Sequence, residues 1–340
     1  MDKFQLDSST AFALFRLPNS NEAKLIIQPK NIPLKRIPIS EIDKHHGFVV
    51  SEFLSGGFCY LLEGNKNSIN NLSKIIFNAD LQELKENVNN SKEDYLIKVN
   101  HYINSFKENF KKAIFSRNKK ANLPTGFSII NAFDFLCKKH PNALVYVHHS
   151  KEFGLWMGAT PEVLIQQQSE VFTTMSLAGT QPFSENIIWT DKEREEQQLV
   201  TDYIEQILVS QNIFFSKSPT DIVKAGNVAH LKTLFTLQKG FDLGALIAQL
   251  HPTPAVCGLP KDEALELINK TENYKRSLYT GFIGEIGESI NLYVNLRCMQ
   301  LFKNKALIYV GGGITQHSNP EKEWAETELK SQTMMEVLDF

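Results

Sequence analysis

The chain is poor in cysteine, and the few cysteines that it has lie far apart. Its 340 residues include four, Cys59, Cys137, Cys257 and Cys298, and no Cys-x-x-Cys spacing occurs. This pattern argues against a disulfide-rich secreted domain and against a zinc ribbon, because both need closely spaced cysteines. The sequence therefore predicts reduced thiols in a cytoplasmic protein.

An excess of charge and long apolar runs are also missing. The formal net charge is −2, and 42% of the residues are hydrophobic, which is ordinary for a soluble globular protein. We therefore expect neither nucleic acid nor a membrane as a partner. No apolar run reaches the ~18 residues that span a bilayer. The N-terminus contains Asp2 and Asp7 and lacks the apolar block of a signal peptide.

Glycine motifs for nucleotides and internal repeats are absent as well. Neither GxGxxG nor GxxxxGKS/T occurs in the chain. These motifs supply the backbone amides that cradle a pyrophosphate or a triphosphate. A dinucleotide-binding or P-loop fold therefore has no support in the sequence.

Strand patterns follow one another without regular alternation with helices. Strands are predicted at 48–50, 58–62, 143–147, 154–158, 278–286, 292–301 and 306–310. Helices are predicted at 191–210, 242–250, 261–270 and 320–338, and an amphipathic helix follows Ser91 as its cap, with apolar residues recurring up to Phe110. This order predicts an α+β fold with large, mostly antiparallel sheets. We expect one structural domain, with residues 1–90 as its N-terminal portion and 91–340 as its core.

Two acidic segments carry the chemistry most visible in the sequence. Glu193 and Glu196 form one Glu-x-x-Glu, and Glu323 and Glu326 form another. Residues three apart share a helix face, so four carboxylates could converge on a cleft and bind a hard cation such as Mg²⁺. For either segment alone, a solvated helix face is the alternative. Thr190 and Glu193 also form a capping box, which makes Glu196 the better ligand candidate of its pair.

The second acidic segment follows a glycine-rich stretch. Gly311–Gly313 come after a buried strand pattern, and we predict that they form a turn. Asn319 is then a helix cap, with Pro320 in the first helical position. A glycine turn allows backbone amides to approach an anion, and Lys330 lies on the helix that follows. The pattern predicts an anion site beside the carboxylates.

From Lys112 onward, the order of the motifs resembles that of the chorismate-utilising enzymes, and most closely the isochorismate synthases. Related branches are salicylate synthase, anthranilate synthase component I and aminodeoxychorismate synthase component I. The motifs are KAIFSR at 112–117, GATPE at 158–162, LAGT at 177–180, KEREE at 192–196, AHL at 229–231, HPTPA at 251–255, LRC at 296–298, GGGI at 311–314 and EWAETELK at 323–330. The resemblance implies sheets and helices that enclose a central cleft, with 91–340 as a chorismate-binding catalytic core.

The resemblance also implies a reaction. Isochorismate forms when water adds at C2 of chorismate and the C4 hydroxyl leaves, which needs a base and an acid. Lys112 matches the family's base, Glu162 its acid, and His230 a residue near the departing hydroxyl. A lysine base needs surroundings that favour the neutral amine, and a carboxylic acid donor needs a raised pKa. Taken alone, each of these residues would be an ordinary surface or core side chain.

A metal and a substrate site are implied in the same way. Glu196 and Glu326 match the ligands of Mg²⁺, and Glu193 and Glu323 match residues that hold metal-bound water. Arg297 and Tyr279 match positions that bind the enolpyruvyl carboxylate, where a guanidinium suits a planar anion. The substrate-binding candidates are Gly179, Thr180, Ala255, Tyr279, Arg297, Gly311, Gly313 and Lys330.

The reaction within the family is left open between branches. Related enzymes add ammonia or form salicylate, but Lys112 favours water, and Ala255 is typical of the isochorismate branch. Two departures are Gln197, where many relatives have His, and an N-terminal portion that is shorter than usual. The resemblance implies a monomer without an obligate glutaminase partner, whose product would feed menaquinone or siderophore biosynthesis.

Two functions from other classes compete with this interpretation. A catalytically silent chorismate-binding protein would need no complete set of base, acid and metal ligands. A two-metal phosphohydrolase would use the four glutamates, but the Asp and His ligands that such sites often include are missing from the pattern.

Overall fold

The protein consists of large antiparallel sheets with helices packed on them. A computed structural model describes residues 3–85, 91–107 and 109–340. The strands are β1 (Phe4–Asp7), β2 (Phe12–Arg16), β3 (Ala23–Ile27), β4 (Lys35–Pro38), β5 (Gly47–Val50), β6 (Phe58–Leu62), β7 (Asn65–Ile69), β8 (Ile75–Asn78), β9 (Lys112–Asn122), β10 (Leu144–Ser150), β11 (Gly154–Thr160), β12 (Val163–Gln168), β13 (Val171–Pro182), β14 (Phe215–Lys217), β15 (Asp221–Ala225), β16 (Val228–Leu237), β17 (Gly258–Leu259), β18 (Phe282–Ile286), β19 (Asn291–Val294), β20 (Cys298–Leu301) and β21 (Lys305–Ile314). The helices are α1 (Lys92–Ser105), α2 (Ile129–Lys139), α3 (Asp191–Ser210), α4 (Leu243–Leu250), α5 (Lys261–Thr271) and α6 (Pro320–Leu338).

Two sheets organise these strands. A nine-stranded sheet has the order β17-β9-β21-β20-β11-β10-β2-β3-β7. A ten-stranded sheet has the order β14-β16-β13-β12-β19-β18-β5-β6-β4, and β15 also pairs with β16. Neighbouring strands in both sheets are antiparallel, whereas β1 and β8 form a small parallel pair. The predicted α+β fold with large antiparallel sheets is confirmed.

The N-terminal part of the chain contributes to both sheets. Strands β2, β3 and β7 belong to the nine-stranded sheet, and β4, β5 and β6 complete one edge of the ten-stranded sheet. This sharing is what one domain needs, although the predicted division into 1–90 and 91–340 stays a prediction. Residues 86–90 of the first portion lie outside the described residues.

The sheets face each other across an apolar layer. Phe15 of the nine-stranded sheet lies against Phe48 of the ten-stranded sheet, with ring centroids 4.9 Å apart. On the outer side of the ten-stranded sheet, α3 and α4 bury a second cluster that includes Ile204 and Leu246. Removing apolar area of this kind from water is the main force that holds sheet and helix layers together.

Most predicted helices agree closely with the structure. The predictions at 191–210 and 320–338 match α3 and α6, and Asp242 is the cap of α4. Helix α5 ends one residue later than predicted, and Ser91 caps α1 through its side chain. The apolar pattern beyond Ser105 is not helical, because α1 ends there.

The prediction of a glycine turn at Gly311–Gly313 is wrong. These residues lie inside β21 and pair with β9. A Cβ at Gly313 would lie 2.3 Å from Glu196 Oε1 and 2.7 Å from Lys112 Cε. The glycines therefore provide room for charged side chains that cross the strand, and they are not needed for a turn.

Two predicted strands have different bounds because the chain changes sheets within or before them. The stretch 292–301 consists of β19 in one sheet and β20 in the other, separated by Asn295–Arg297. Arg297 has a φ of +48° in this link, and Thr280, before β18, has a φ of +61°. A continuous apolar pattern cannot reveal such a crossing, since both strands are buried. The predictions at 154–158 and 306–310 are confirmed with longer ends, and the one at 143–147 is confirmed with a start at Leu144 and an end at Ser150.

Two expectations from composition can be checked directly. The four cysteines are free thiols, and all except the half-buried Cys137 are buried. Within the described ranges, none of the helices combines the length and apolar character needed to cross a membrane.

Candidate active site

A cavity lies between the two sheets and collects most of the predicted site residues. The residues from that prediction that line it are Glu162, Gly179, Thr180, Glu196, His230, Ala255, Tyr279, Arg297, Gly311, Gly313 and Lys330. Lys112 lies behind Gly313, and Glu323 and Glu326 lie behind Gly312, as the short distances from those glycines show. Glu193 contacts Gly179 from the first turn of α3.

Two links between the sheets place an acid and a cation in the cavity. Pro161 and Glu162 connect β11 to β12, and Asn295–Arg297 connect β19 to β20. The links are hydrogen-bonded side by side, since Ala159 N donates to Arg297 O at 3.0 Å and Val294 N donates to Glu162 O at 2.9 Å. Both Glu162 and Arg297 are thereby held at the point where the chain crosses between the sheets.

Glu162 is a buried carboxyl with a strongly altered acidity. It is 4% exposed, and no ion pair in the described part of the chain includes it. Burial raises its pKa to about 8, although Lys112, Lys330 and Arg297 oppose the shift. Desolvation penalises the charged form of a carboxylate, so Glu162 holds a proton at neutral pH.

Lys112 and Glu196 form a buried ion pair beside the cavity. Lys112 is the first residue of β9 and is fully buried, and its Nζ lies 2.8 Å from Glu196 Oε1. Burial raises the pKa of Glu196, but the nearby cations Lys112, Lys192 and Lys330 outweigh this effect and leave the pKa below its usual value. One cavity therefore holds a protonated carboxyl, Glu162, and an ionised carboxylate, Glu196.

A bulge in β13 connects the glycine at 179 to His230. The register of β13 and β16 shifts between Ala178 and Thr180, and Gly179 has a φ of +63°. Gly179 O lies 3.1 Å from His230 Nδ1, and Arg297 Nη2 lies 3.0 Å from His230 Nε2. A guanidinium can only donate, so Nε2 is the acceptor and Nδ1 carries the proton. Burial and the charge of Arg297 hold the pKa of His230 well below its usual value, which keeps the ring neutral.

The cavity has cations and a phenol that suit an anionic ligand. Arg297 forms no ion pair with any carboxylate among the described residues, although its guanidinium reaches His230. A Cβ at Gly311 would lie 3.0 Å from the Tyr279 hydroxyl, so that glycine leaves space for the phenol. Burial raises the pKa of Tyr279, which keeps its hydroxyl a hydrogen-bond donor. Lys330 Nζ donates to Gly311 O at 3.0 Å.

The carboxylates of α6 are paired with lysines. Glu326 Oε1 lies 2.6 Å from Lys330 Nζ, and Glu323 Oε1 lies 2.5 Å from Lys192 Nζ. Burial and the neighbouring Glu326 raise the pKa of Glu323 to about 7. Sequence reasoning gave Lys192 no role. Its position four residues before Glu196 on α3 was the available signal, because such residues share a helix face.

The donor set fits a hard divalent cation. In the described ranges, no group of three or more His, Cys, Asp or Glu is arranged to hold a metal. Mg²⁺ does not require one, since it usually takes one or two protein carboxylates together with water and substrate. Glu323 Oε2 is buried and accepts no hydrogen bond from the described residues, so it has capacity for a further partner. Glu326 Oε1 lies beside the same glycine as Glu323 Oε2, Gly312, and Glu196 Oε1 lies beside Gly313.

Gln197 faces away from these carboxylates. Its Oε1 accepts from Ala178 N at 2.9 Å, and its Nε2 donates to Ser176 Oγ at 2.8 Å. The side chain therefore ties α3 to the part of β13 that leads into Gly179. The residue that departs from the family pattern holds the backbone beside the site.

Comparison with known proteins agrees with this geometry. The family described as "Chorismate binding enzyme" matches residues 59–339, which is most of the chain. The chain belongs to the chorismate-binding enzymes. Enzymes of this family are typically Mg²⁺-dependent, in keeping with the oxygen-rich donor set.

Several curated relatives of this chorismate-binding enzyme are named isochorismate synthases. Isochorismate synthase EntC of Escherichia coli (strain K12) is 32% identical over 200 residues, which is 54% of this chain and 51% of EntC. The vibriobactin-specific isochorismate synthase of Vibrio cholerae is 27% identical over 263 residues, covering 72% of this chain and 66% of that protein. The chain thus matches about half the length of EntC.

Solved structures share the fold over nearly the whole chain. DhbC from Bacillus anthracis has a TM-score of 0.78 at 20% identity and covers 98% of this chain and 96% of its own. MenF, the menaquinone-specific isochorismate synthase of Escherichia coli, has a TM-score of 0.78 at 18% identity and covers 98% and 89%. Anthranilate synthase component I of Streptococcus pneumoniae has a TM-score of 0.68 at 17% identity and covers 95% and 89%. At these identities the likeness concerns the fold.

Proposed function

We propose that this chorismate-binding enzyme is an isochorismate synthase. The observation that carries the proposal is the pair Lys112 and Glu162, a buried lysine and a protonated carboxyl at one cavity. Addition of water with loss of a hydroxyl needs a base for the incoming oxygen and an acid for the outgoing one. The similarity to curated isochorismate synthases supports the same reaction.

The proposed reaction balances its atoms without a net change in water. Lys112, once it has given up the ammonium proton that pairs it with Glu196, takes a proton from water as the neutral amine while the water oxygen bonds to C2 of chorismate. Both conjugated double bonds of the ring shift toward C4, the C4–O bond breaks, and Glu162 donates its proton to the leaving hydroxyl, which departs as water. His230 carries its proton on Nδ1, which faces Gly179 O. Its Nε2 therefore accepts from Arg297, and both groups would lie at the end of the site that binds a substrate carboxylate.

Substrate anchoring is assigned to the remaining lining residues. Chorismate carries two carboxylates, and Arg297 with Tyr279 would bind the enolpyruvyl one through a charge-assisted contact and a phenolic donor. Gly179, Gly311 and Gly313 would present their backbone to the ligand, and Thr180 adds a hydroxyl. Ala255 contributes a small side chain to the lining. Lys330 adds a positive charge.

Mg²⁺ is the proposed cofactor. Glu196 and Glu326 would hold the ion directly. Glu323 on α6 and Glu193 on α3 would hold water molecules bound to the ion. When bound, the ion would supply charge that orients the ring carboxylate and screens the acidic residues. We further propose that the chain acts as one domain and as a monomer without a glutaminase subunit.

Product analysis tests the proposal. The purified protein is incubated with chorismate and Mg²⁺, with and without ammonium, beside an EDTA control. Isochorismate that forms only without EDTA is the expected result. Salicylate with pyruvate, or an aminated product that requires ammonium, would assign the chain to a neighbouring branch. Saturable chorismate binding without any product would make it a silent binding protein.

A further inference from the structure

A second cavity begins at the protein surface and ends at the wall of the candidate active site. Its rim includes the exposed residues Asn19, Asn142 and Asn227, and its floor includes the buried Ala159 and Tyr293. The residues that line both cavities are Pro161, Leu177, His230 and Arg297. The hydrogen-bonded pair of His230 and Arg297 is therefore part of the wall between the surface cavity and the candidate active site.

The surface cavity is basic. Lys139, Lys224, Lys232 and Arg297 line it, and no Asp or Glu lines it among the described residues. Lys139 is paired with Glu336, and Lys224 lies 4.0 Å from the centroid of the Phe183 ring. The half-buried Lys232 forms no ion pair within the described ranges, even with Asp221, its register partner on β15. A concave surface with one sign of charge raises the local concentration of the opposite ion.

The cavity is lined by buried polar atoms that have no hydrogen-bond partner among the described residues. The Tyr293 hydroxyl is buried and makes no hydrogen bond with the described residues, and the same holds for His140 Nε2. Tyr293 and His140 both line the cavity. Buried donors and acceptors are normally satisfied by protein, water or a ligand. These groups fit a passage that a hydrated or polar molecule occupies.

We propose that this surface cavity is the entrance through which the anionic substrate reaches the active site, with Lys232 as the attracting charge and Arg297 as the cation at its inner end. The inference rests on the proposed function only for the substrate, a small molecule with two carboxylates. Such an anion would pass from Lys232 to Arg297 without meeting a carboxylate on the way. Ala225 is a small, half-buried lining residue, so a bulky side chain at this position would obstruct the passage.

Two variants test the charge and the width of the entrance separately. Lys232→Gln removes the unpaired charge, and we expect kcat/KM for chorismate consumption to fall about fivefold at low salt, with a weaker dependence on ionic strength and an unchanged kcat. Its control is Lys239→Gln, which removes an exposed lysine paired with Glu170 outside the cavity. Ala225→Trp narrows the rim and should lower kcat/KM about tenfold or more. Its control is Ile222→Trp, on the same strand at a position that is 55% exposed and outside the lining.

The readout separates this inference from the proposed function. Loss of chorismate is measured whatever the product, so salicylate or an aminated product would refute the proposed reaction and leave the entrance test intact. If the protein binds chorismate without consuming it, the association rate from tryptophan fluorescence replaces kcat/KM. Thermal melting of each variant shows whether it is folded. Wild-type kcat/KM, or a wild-type association rate, in both Lys232→Gln and folded Ala225→Trp would overturn the proposal.

Discussion

Helices α3 and α6 carry the same Glu-x-x-Glu pattern, but their first glutamates have different partners. In α3, Glu193 accepts a hydrogen bond from Thr190 N at 2.9 Å and so completes a capping box. In α6, Asn319 caps the helix by accepting from Lys322 N at 3.1 Å. Glu323 is therefore free of the cap and pairs with Lys192 on the other helix.

The second glutamates of the two helices behave alike. Glu196 pairs with Lys112, and Glu326 pairs with Lys330. The second position lies beyond the reach of the N-terminal cap, so neither carboxylate is used for capping. Glu196 lines the cavity, and Glu326 lies behind Gly312. The comparison teaches that the residue at the cap decides how many carboxylates a Glu-x-x-Glu helix can offer to a ligand.

Lys112→Ala is the strongest way to sharpen this comparison, since it removes the cation that faces α3. We expect kcat to fall about 10³-fold, which is within the range of proton-transfer catalysis. Chorismate binding should remain measurable, because Arg297, Tyr279 and Lys330 are unchanged. Product formation and calorimetric binding check the two expectations.

The matched control for this prediction is the neighbouring residue. Lys111 is exposed and does not line the cavity. Lys111→Ala should keep wild-type turnover. If Lys112→Ala turned over at the wild-type rate, the base would have to be another group.

Glu162→Gln tests a carboxyl that neither caps a helix nor forms an ion pair with a lysine. We expect kcat to fall about 10²-fold, because an amide cannot donate the proton that the leaving hydroxyl needs. In the wild type, the protonated fraction of Glu162 declines as the pH rises through its pKa of about 8, so kcat should decline there too. A pH–rate profile checks this, and an unchanged alkaline limb in Glu162→Gln would contradict it.

The same pKa predicts a dependence of stability on pH. The folded-state pKa of about 8 lies above the unfolded value of about 4.3, so between them the folded chain binds more protons than the unfolded chain. The contribution of Glu162 to the free energy of unfolding is therefore full below about pH 4.3 and is lost as the pH rises toward 8. The difference in stability between wild type and Glu162→Gln, measured by denaturant titration across this window, should change with that sign.

Glu326→Gln and Glu193→Gln test the difference between the two helices directly. We expect Glu326→Gln to weaken Mg²⁺ binding at least about tenfold, since it removes a carboxylate at the proposed metal site. Glu193→Gln keeps a capping side chain and should shift Mg²⁺ affinity much less, whereas Glu193→Ala should cost about 1 kcal/mol of stability. Calorimetry with Mg²⁺ and thermal melting measure both. Equal losses of Mg²⁺ affinity in Glu193→Gln and Glu326→Gln would break the comparison.

The periodic helices and the motif order could be predicted from the sequence because their signals are local. Thr190, Asn319 and Ser91 are caps in the sequence and in the structure. The convergence of Glu162, His230 and Arg297 on one cavity also agrees with the family resemblance. Their roles in the reaction stay predictions.

Other features depend on contacts between distant residues. Gly311–Gly313 resemble a turn in the sequence. The side chains of Lys112 and Glu196, however, occupy the space that a Cβ atom at Gly313 would fill, and they come from other elements. The break at Asn295–Arg297 arises because two sheets share one chain segment. The role of Lys192 is visible only when α3 lies beside α6. Local patterns contain none of these long-range distances.

Gln197 provides the smallest and most local test, because it adjoins Glu196 on α3 but contacts β13. Gln197→Met removes its bonds to Ala178 N and Ser176 Oγ at nearly constant volume. We expect a loss of about 1–3 kcal/mol in unfolding free energy, since buried polar groups of β13 lose their partner. KM for chorismate should rise more than the Mg²⁺ requirement, because the affected backbone leads to Gly179 and not to the carboxylates. Gln198→Met, at an exposed position paired with Asp202, is the matched control. A larger change in Mg²⁺ affinity than in KM would instead associate Gln197 with the proposed metal site.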